Sequence, residues 1–339
     1  MSYRKKMKTC SLYQNDEKID ACEYQPEPVL ADEYLEPVHL VDVYVAIITD
    51  KKKTSKIVKK LNEIAPLGYL QHLKRVRTTN DPAGPLQIVL YEKSFATDIS
   101  NWDSQKCQIE EVISTIDGLG KKYLTKVPST PPLTRHQYNE AFQYWPVNFH
   151  EDKMITSLLS GKYFENKELQ DIEMYMKLAI QLAQVAKRKK QLPIGAVIVD
   201  PVTKTIICEA YDLQNSGYPL QHAVMVAIDL VAHSQGGGMW IYEDSHSELK
   251  YASLQEQPKS GTGVYLCTGY DLYTTQEPCV MCSMALVHSR ISRVFYGSSQ
   301  KDGALGSKFK IHCQPGLNHH YKVFRHCLQQ HTDQLYSER

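Results

Sequence analysis

Residues 1–35 are polar, acidic and without periodicity, and hydrophobic residues fall into regular patterns only after them. The first 35 residues are therefore expected to form a flexible tail. Val38 to Thr49 is dense in Val and Ile and predicts a strand. Ser55 to Ile64 puts Ile57, Val58, Leu61 and Ile64 on one helical face, with Lys56, Lys59 and Lys60 largely off it. Tyr69 to Arg77 and Leu86 to Tyr91 predict two strands joined by the turn-forming Asn80-Asp81-Pro82-Ala83-Gly84. Ser104 to Ile113 predicts a helix and Tyr123 to Val127 a closing strand. The order βαββαβ implies an α+β ferredoxin-like domain over residues 36–130.

The proline-rich run Pro128 to Pro132 marks a boundary, followed by a connector, residues 131–166. A second pattern fills residues 167–328. It holds a helix over Asp171 to Lys190, a hairpin from Pro193 to Val199 and Thr205 to Ala210, and a helix from Leu220 to Ala232. Strands Gly263 to Thr268 and Leu272 to Thr275, a helix Pro278 to Val287 and a strand Ser292 to Tyr296 complete it. The series αββαβαβ predicts a central sheet flanked by helices, an α/β domain, with residues 233–263 as an exposed insertion and 329–339 as a C-terminal tail.

Charge changes this picture more than composition does. The net charge is +1 and the apolar content ordinary, and no run of residues is long and apolar enough to span a bilayer. A soluble intracellular protein is expected, because no apolar stretch follows the basic residues near Met1. Along the chain, however, Tyr13 to Asp50 carries ten acidic residues and one basic, whereas Lys51 to Asn80 carries nine basic and one acidic. The second block favours phosphate contact through Lys51, Lys52, Lys53, Lys56, Lys59, Lys60, Lys74, Arg75 and Arg77, with Lys121 and Lys122 extending it. Lys187 to Lys190 reads first as a solvated helix end that complements the dipole, and second as a nuclear import patch or RNA contact.

Nine cysteines spread over the chain argue against a disulfide framework. The close pair, Cys279 and Cys282, stands at a predicted helix start behind Pro278, and His222 opens another helix. A Cys-x-x-Cys in the first turn places two sulfurs on one side, where the helix dipole favours thiolates, so a zinc ion suits these three residues. Zinc deaminases of bases combine His-x-Glu with a later Pro-Cys-x-x-Cys, the Glu serving as general acid/base. Here the metal half is complete, but Val224 stands at the Glu position and has no titratable proton. Such groups contribute about 10² to 10⁴ in rate, so the domain alone is expected to be close to inert.

Pro219 to Val226, Glu277 to Arg290 and Asp302 to Gly306 resemble the inactive subunit of eukaryotic tRNA adenosine deaminase, and the connector Trp145 to Asp152 and Leu317 to His320 look like it too. The resemblance implies a cytidine-deaminase-like three-layer α/β/α fold with His222, Cys279 and Cys282 as zinc ligands and Val224 as the inactivating substitution. It also implies a catalytic sister subunit with the full His-x-Glu motif, tRNA as ligand, wobble adenosine-to-inosine conversion, and residence in nucleus and cytoplasm. Two other readings stay open: an autonomous deaminase recruiting Glu277 or Glu209, and a nucleic-acid-binding adaptor in which zinc is structural.

Overall fold

The computed structural model describes residues 25–78, 84–93, 110–252 and 265–337. Contacts divide the chain into two units, Leu30–Tyr163 and a second made of Phe164–Arg339 together with the segment up to Val29. Strand β1 (Glu27–Pro28) belongs to the second unit.

The first unit has β2 (Leu40–Ile48), α1 (Thr54–Ile64), β3 (Val76–Thr78), β4 (Leu86–Glu92), a helical turn at 110–114 and β5 (Leu119–Pro128). Its sheet runs β3-β4-β2-β5 with every neighbour antiparallel, the ferredoxin-like order that the pattern implied. Strand alternation sends β2 residues to two cores. Ala46 and Ile48 pack with Ile57 and Leu61 of α1, while Val43 and Val45 pack with Val89, Val127, Ala141 and Trp145. The second core is completed by residues of the connector 131–166, which packs on this unit. Helix α2 (Arg135–Tyr144), opened by a Thr134/Gln137 capping box, covers the face of the sheet opposite α1, and the short α3 (Lys153–Leu159) follows. Trp145 is fully buried and its indole N–H donates to the Lys74 carbonyl at 2.6 Å.

The predicted strand Tyr69 to Arg77 is realised only as β3. Gly68, at φ +55°, turns the chain into a 3-10 turn over Gly68–Leu70, and Leu70 and Leu73 go into the core instead. The turn at residues 80–84 falls outside the described residues except for Gly84, as does most of the helix expected near Ser104.

The second unit is a mixed sheet in the order β1-β11-β10-β9-β6-β7-β8. Its elements are α4 (Asn166–Arg188), β6 (Gly195–Asp200), β7 (Thr205–Tyr211), α5 (Ala223–Ser234) and β8 (Lys250–Tyr251). They continue with β9 (Asp271–Gln276), α6 (Val280–Ser289), β10 (Arg293–Ser298), β11 (Lys322–Arg325) and α7 (Gln329–Gln334). Helix α4 lies directly on the β6 backbone, because a Cβ on Gly195 would stand 2.0 Å from the Ala179 carbonyl oxygen. On that same face Tyr273, Phe295 and Phe324, cross-strand neighbours on β9, β10 and β11, stack with ring centroids 4.7 and 5.0 Å apart. The opposite face carries α5 and α6, with the Cys208 thiol of β7 directed at the Ala227 carbonyl of α5.

Four stretches carry structure that the sequence pattern did not show. Within residues 1–35, Glu27–Pro28 is an edge strand on β11 and Asp32–Tyr34 a 3-10 turn. Of Gly263 to Thr268, read as a strand, the described residues 265–268 belong instead to a turn that has Leu266 and the following Gly269 at positive φ. Within 233–263, β8 pairs with β7, and Asp229 clamps the chain by accepting the Met239 N–H at 2.7 Å and the Tyr242 hydroxyl at 2.8 Å. The tail 329–339 contains α7, whose Thr332 is buried against Gly297.

Candidate metal centre

Two helix N-termini meet at the end of β9. His222 is the N-cap of α5 and Cys279 the N-cap of α6, and neither side chain caps its own helix. Pro278 thus lies one residue before the cap, not at the first helical position, because Cys279 keeps an extended backbone. Both cap side chains turn towards each other instead. Cys279 Sγ is 3.7 Å from His222 Nδ1, and the donor atoms of His222, Cys279 and Cys282 all lie within 4.8 Å of one another. Tetrahedral zinc with bonds of about 2.0–2.1 Å to nitrogen and about 2.3 Å to sulfur places such donors about 3.6 Å apart, so the trio fits the ion in donor type and spacing.

Without metal the three groups share their protons unequally. A hydrogen bond from Cys282, joined by the His222 imidazole, pulls the Cys279 thiol down to about 4. Facing that thiolate, the Cys282 thiol is pushed well above its usual range, and the hydrogen bond to Cys279 raises His222. A backbone hydrogen bond at Pro219 further steadies the imidazole.

Val224, in the first turn of α5, is 3% exposed and presents only methyl groups at the place where the deaminase motif has its carboxylate. The two carboxylates considered as substitutes are committed elsewhere. Glu277 is buried, accepting the N–H groups of Leu305 and Ser307 at 3.0 Å each, the N–H of Gln300 at 3.2 Å and the Ser307 hydroxyl. Glu209 pairs with Lys250 at 3.3 Å. A third carboxylate, Asp212, escaped the sequence reading although it is a lone acid in the apolar run Ala210 to Leu213. It is fully buried and accepts the Ala223 N–H at 3.3 Å, at the start of the helix that carries His222. Burial raises its carboxyl.

The basic residues of the first unit divide sharply. Lys51, Lys52, Lys56, Lys59, Lys60, Lys74 and Lys121 are exposed. Lys53 pairs with Asp117, and Lys122 with Glu110 at 2.9 Å while lying 5.1 Å above the Tyr44 ring. The register, Ile48 opposite Leu119 and Ala46 opposite Lys122, brings Lys51, Lys52 and Lys53, which follow β2, to the end of the sheet that carries Lys121 and Lys122, while Lys56, Lys59 and Lys60 lie along α1. Arg75 is a different kind of residue. It is 8% exposed, and its guanidinium donates to the carbonyls of Ala65, Val89 and Leu90 and to Asn62. Burial draws it down to about 10, and it holds α1 to the sheet rather than facing solvent. Arg77 stacks 4.0 Å above Trp145 and donates to Gln87 and the Tyr144 carbonyl.

A His-Cys-Cys trio at two helix N-termini beside the sheet of an α/β/α domain, with valine in place of the proton-transferring carboxylate, defines a zinc-deaminase-type domain stripped of its acid/base group. Residues 169–298 match the family described as the cytidine and deoxycytidylate deaminase zinc-binding region, and residues 41–145 match the tRNA-specific adenosine deaminase TAD3 N-terminal domain. The chain is 43% identical over 318 residues to the probable inactive tRNA-specific adenosine deaminase-like protein 3 of Danio rerio, covering 92% of this chain and 94% of that protein. The Homo sapiens protein of the same description is 39% identical, covering 91% and 90%. The tRNA-specific adenosine deaminase subunit tad3 of Schizosaccharomyces pombe is 29% identical, covering 84% and 83%. The chain belongs to the TAD3 family of tRNA-specific adenosine deaminase proteins. No described helix is long and apolar enough to cross a membrane.

Proposed function

We propose that this chain is the non-catalytic subunit of a heterodimeric tRNA adenosine deaminase. In this reading it holds one zinc ion through His222, Cys279 and Cys282, binds tRNA through its N-terminal unit, and serves in nucleus and cytoplasm. Its sister subunit carries the complete His-x-Glu motif and converts adenosine to inosine at the wobble position. One observation carries the reading: the buried Val224 at the acid/base position, with Glu277 and Glu209 both engaged elsewhere. The names of the relatives, a probable inactive deaminase-like protein and a deaminase subunit, support it.

A zinc ion in such a site, when bound, supplies the charge that would polarise a water molecule. Deamination also requires a group that takes a proton from that water and delivers it to the ring, and Val224 transfers none. His222, Cys279 and Cys282 then act on the fold, by tying the starts of α5 and α6 together. The decisive experiment is metal content and adenosine deamination of the purified full chain, alone and with a His-x-Glu partner. One zinc per chain, no turnover alone and turnover with the partner is the expected result. Turnover by the chain alone overturns the reading.

A further inference from the structure

Helix α5 starts with an unusual difficulty. The N-cap side chain normally accepts one of the free N–H groups of the first turn, and loss of that bond costs about 1 kcal/mol. At α5 the N-cap is His222, whose imidazole is directed at Cys279 and makes no capping bond. A residue cannot both cap the helix and point its ring at the cysteines.

Asp212 resolves this from ten residues upstream. It lies immediately after β7, its backbone N–H bonded to the Ile194 carbonyl at 3.0 Å, and its side chain is fully buried. Its Oδ2 accepts the Ala223 N–H at 3.3 Å and the Gln214 side-chain amide at 2.7 Å, while Oδ1 accepts the Gln214 N–H at 3.1 Å. The next residue, Leu213, donates its N–H to the Gln221 carbonyl at 3.0 Å, so the loop leading to His222 is closed at both ends beside this one carboxylate. A buried negative charge at a helix N-terminus is also favoured by the dipole, and a carboxylate near a ligating imidazole raises its basicity.

We propose that Asp212 is a positioning residue of the metal site: it caps α5 in place of His222, which frees the imidazole to face Cys279 and Cys282, and its charge strengthens that imidazole as a ligand. This inference rests on the zinc reading above. Its test uses the full chain as wild type, Asp212→Ala and Asp212→Asn. The measurements are zinc affinity by chelator competition, the visible spectrum with Co²⁺ in the site, and thermal unfolding with and without metal.

Asp212→Ala is expected to weaken zinc binding by about 10- to 100-fold, the range for partners of metal ligands, and to alter the Co²⁺ spectrum. Asn retains an acceptor for the Ala223 N–H but not the charge. Asp212→Asn should therefore recover the wild-type spectrum and only part of the affinity. The gain in melting temperature on adding zinc should shrink in Asp212→Ala, because the defect lies in the site. Wild-type affinity and spectrum in Asp212→Ala, or an equal loss of melting temperature with and without metal, would reduce Asp212 to a fold residue and overturn the inference while leaving the zinc site standing. A wild-type chain that takes up no zinc would overturn both.

Discussion

The Glu277 carboxylate accepts the backbone N–H of Leu305 at 3.0 Å, and the same Oε1 atom accepts the N–H of Ser307 at 3.0 Å. With Gln300 N–H and the Ser307 hydroxyl on Oε2, one side chain organises the whole loop beyond β10. The loop comes so close that a Cβ on Gly303 would stand 2.1 Å from this carboxyl group. Glu277→Ala orphans these donors; part of the loop can turn them to water, so the loss is set against a single hydrogen bond to a charged group, about 1.5–3 kcal/mol. The expected outcome is a loss of about 3 kcal/mol in denaturant unfolding. Unchanged stability would show that the loop is held by other contacts.

His312 gives the fold a pH dependence of known sign. It is buried, one ring nitrogen contacts the Val29 carbonyl at 2.9 Å, and Nδ1 has no partner among the described residues. Burial lowers it to about 4 from an ordinary value of 6.5. The unfolded chain therefore binds a proton between pH 6.5 and 4 that the folded chain refuses, so stability is present above pH 6.5 and falls as pH drops towards 4. The slope from this residue approaches about 1.4 kcal/mol per pH unit. His312→Gln keeps a donor for Val29 and removes the titration, so the two unfolding free energies should converge as the pH falls. Parallel curves from pH 7.5 to 4.5 would rule this out.

The second unit was more legible in the sequence than the first, for reasons visible in particular residues. The runs of β6 and β10 hold apolar residues on both faces, and the Pro-Cys-x-x-Cys stands where a strand ends and a helix starts, so pattern and chemistry coincide. β11 was missed because it is short and follows polar residues. β1 was missed because two residues gain strand geometry only by pairing with β11. Arg75 was misplaced for a related reason: charge along the sequence does not tell which cations are spent on carbonyl groups. Asp212 became visible only when the first N–H of α5 was seen to need an acceptor that His222 does not supply.

On the proposed zinc site, removal of the two thiols should separate the metal from the fold around it. Cys279→Ala with Cys282→Ala is expected to abolish zinc uptake and lower the melting temperature to that of the chelator-treated chain. Further chelator should then have no effect. Unchanged zinc content in the double variant would place the metal elsewhere.

The exposed lysines and Arg75 should separate by what their loss does. Lys56, Lys59 and Lys60 lie on the outer side of α1, and Lys51, Lys52 and Lys121 share the same end of the sheet, so replacing them with Gln removes charge without removing packing. Surface changes of this kind leave stability within about 0.5 kcal/mol. In a complex with the catalytic sister subunit they should weaken tRNA binding and flatten its salt dependence, each lost phosphate contact lowering the slope of log affinity against log salt by about 0.7 to 0.9. Arg75→Gln should do the opposite. It leaves the carbonyls of Ala65, Val89 and Leu90 without their donor, so unfolding stability should fall by about 3 kcal/mol, while the salt slope of the folded protein stays that of wild type. The measurement is tRNA affinity at several salt concentrations beside denaturant unfolding of the same variants. Lysine variants with wild-type slopes would show that this end of the sheet is only a solvated face, and the tRNA would then have to be held by other parts of the complex.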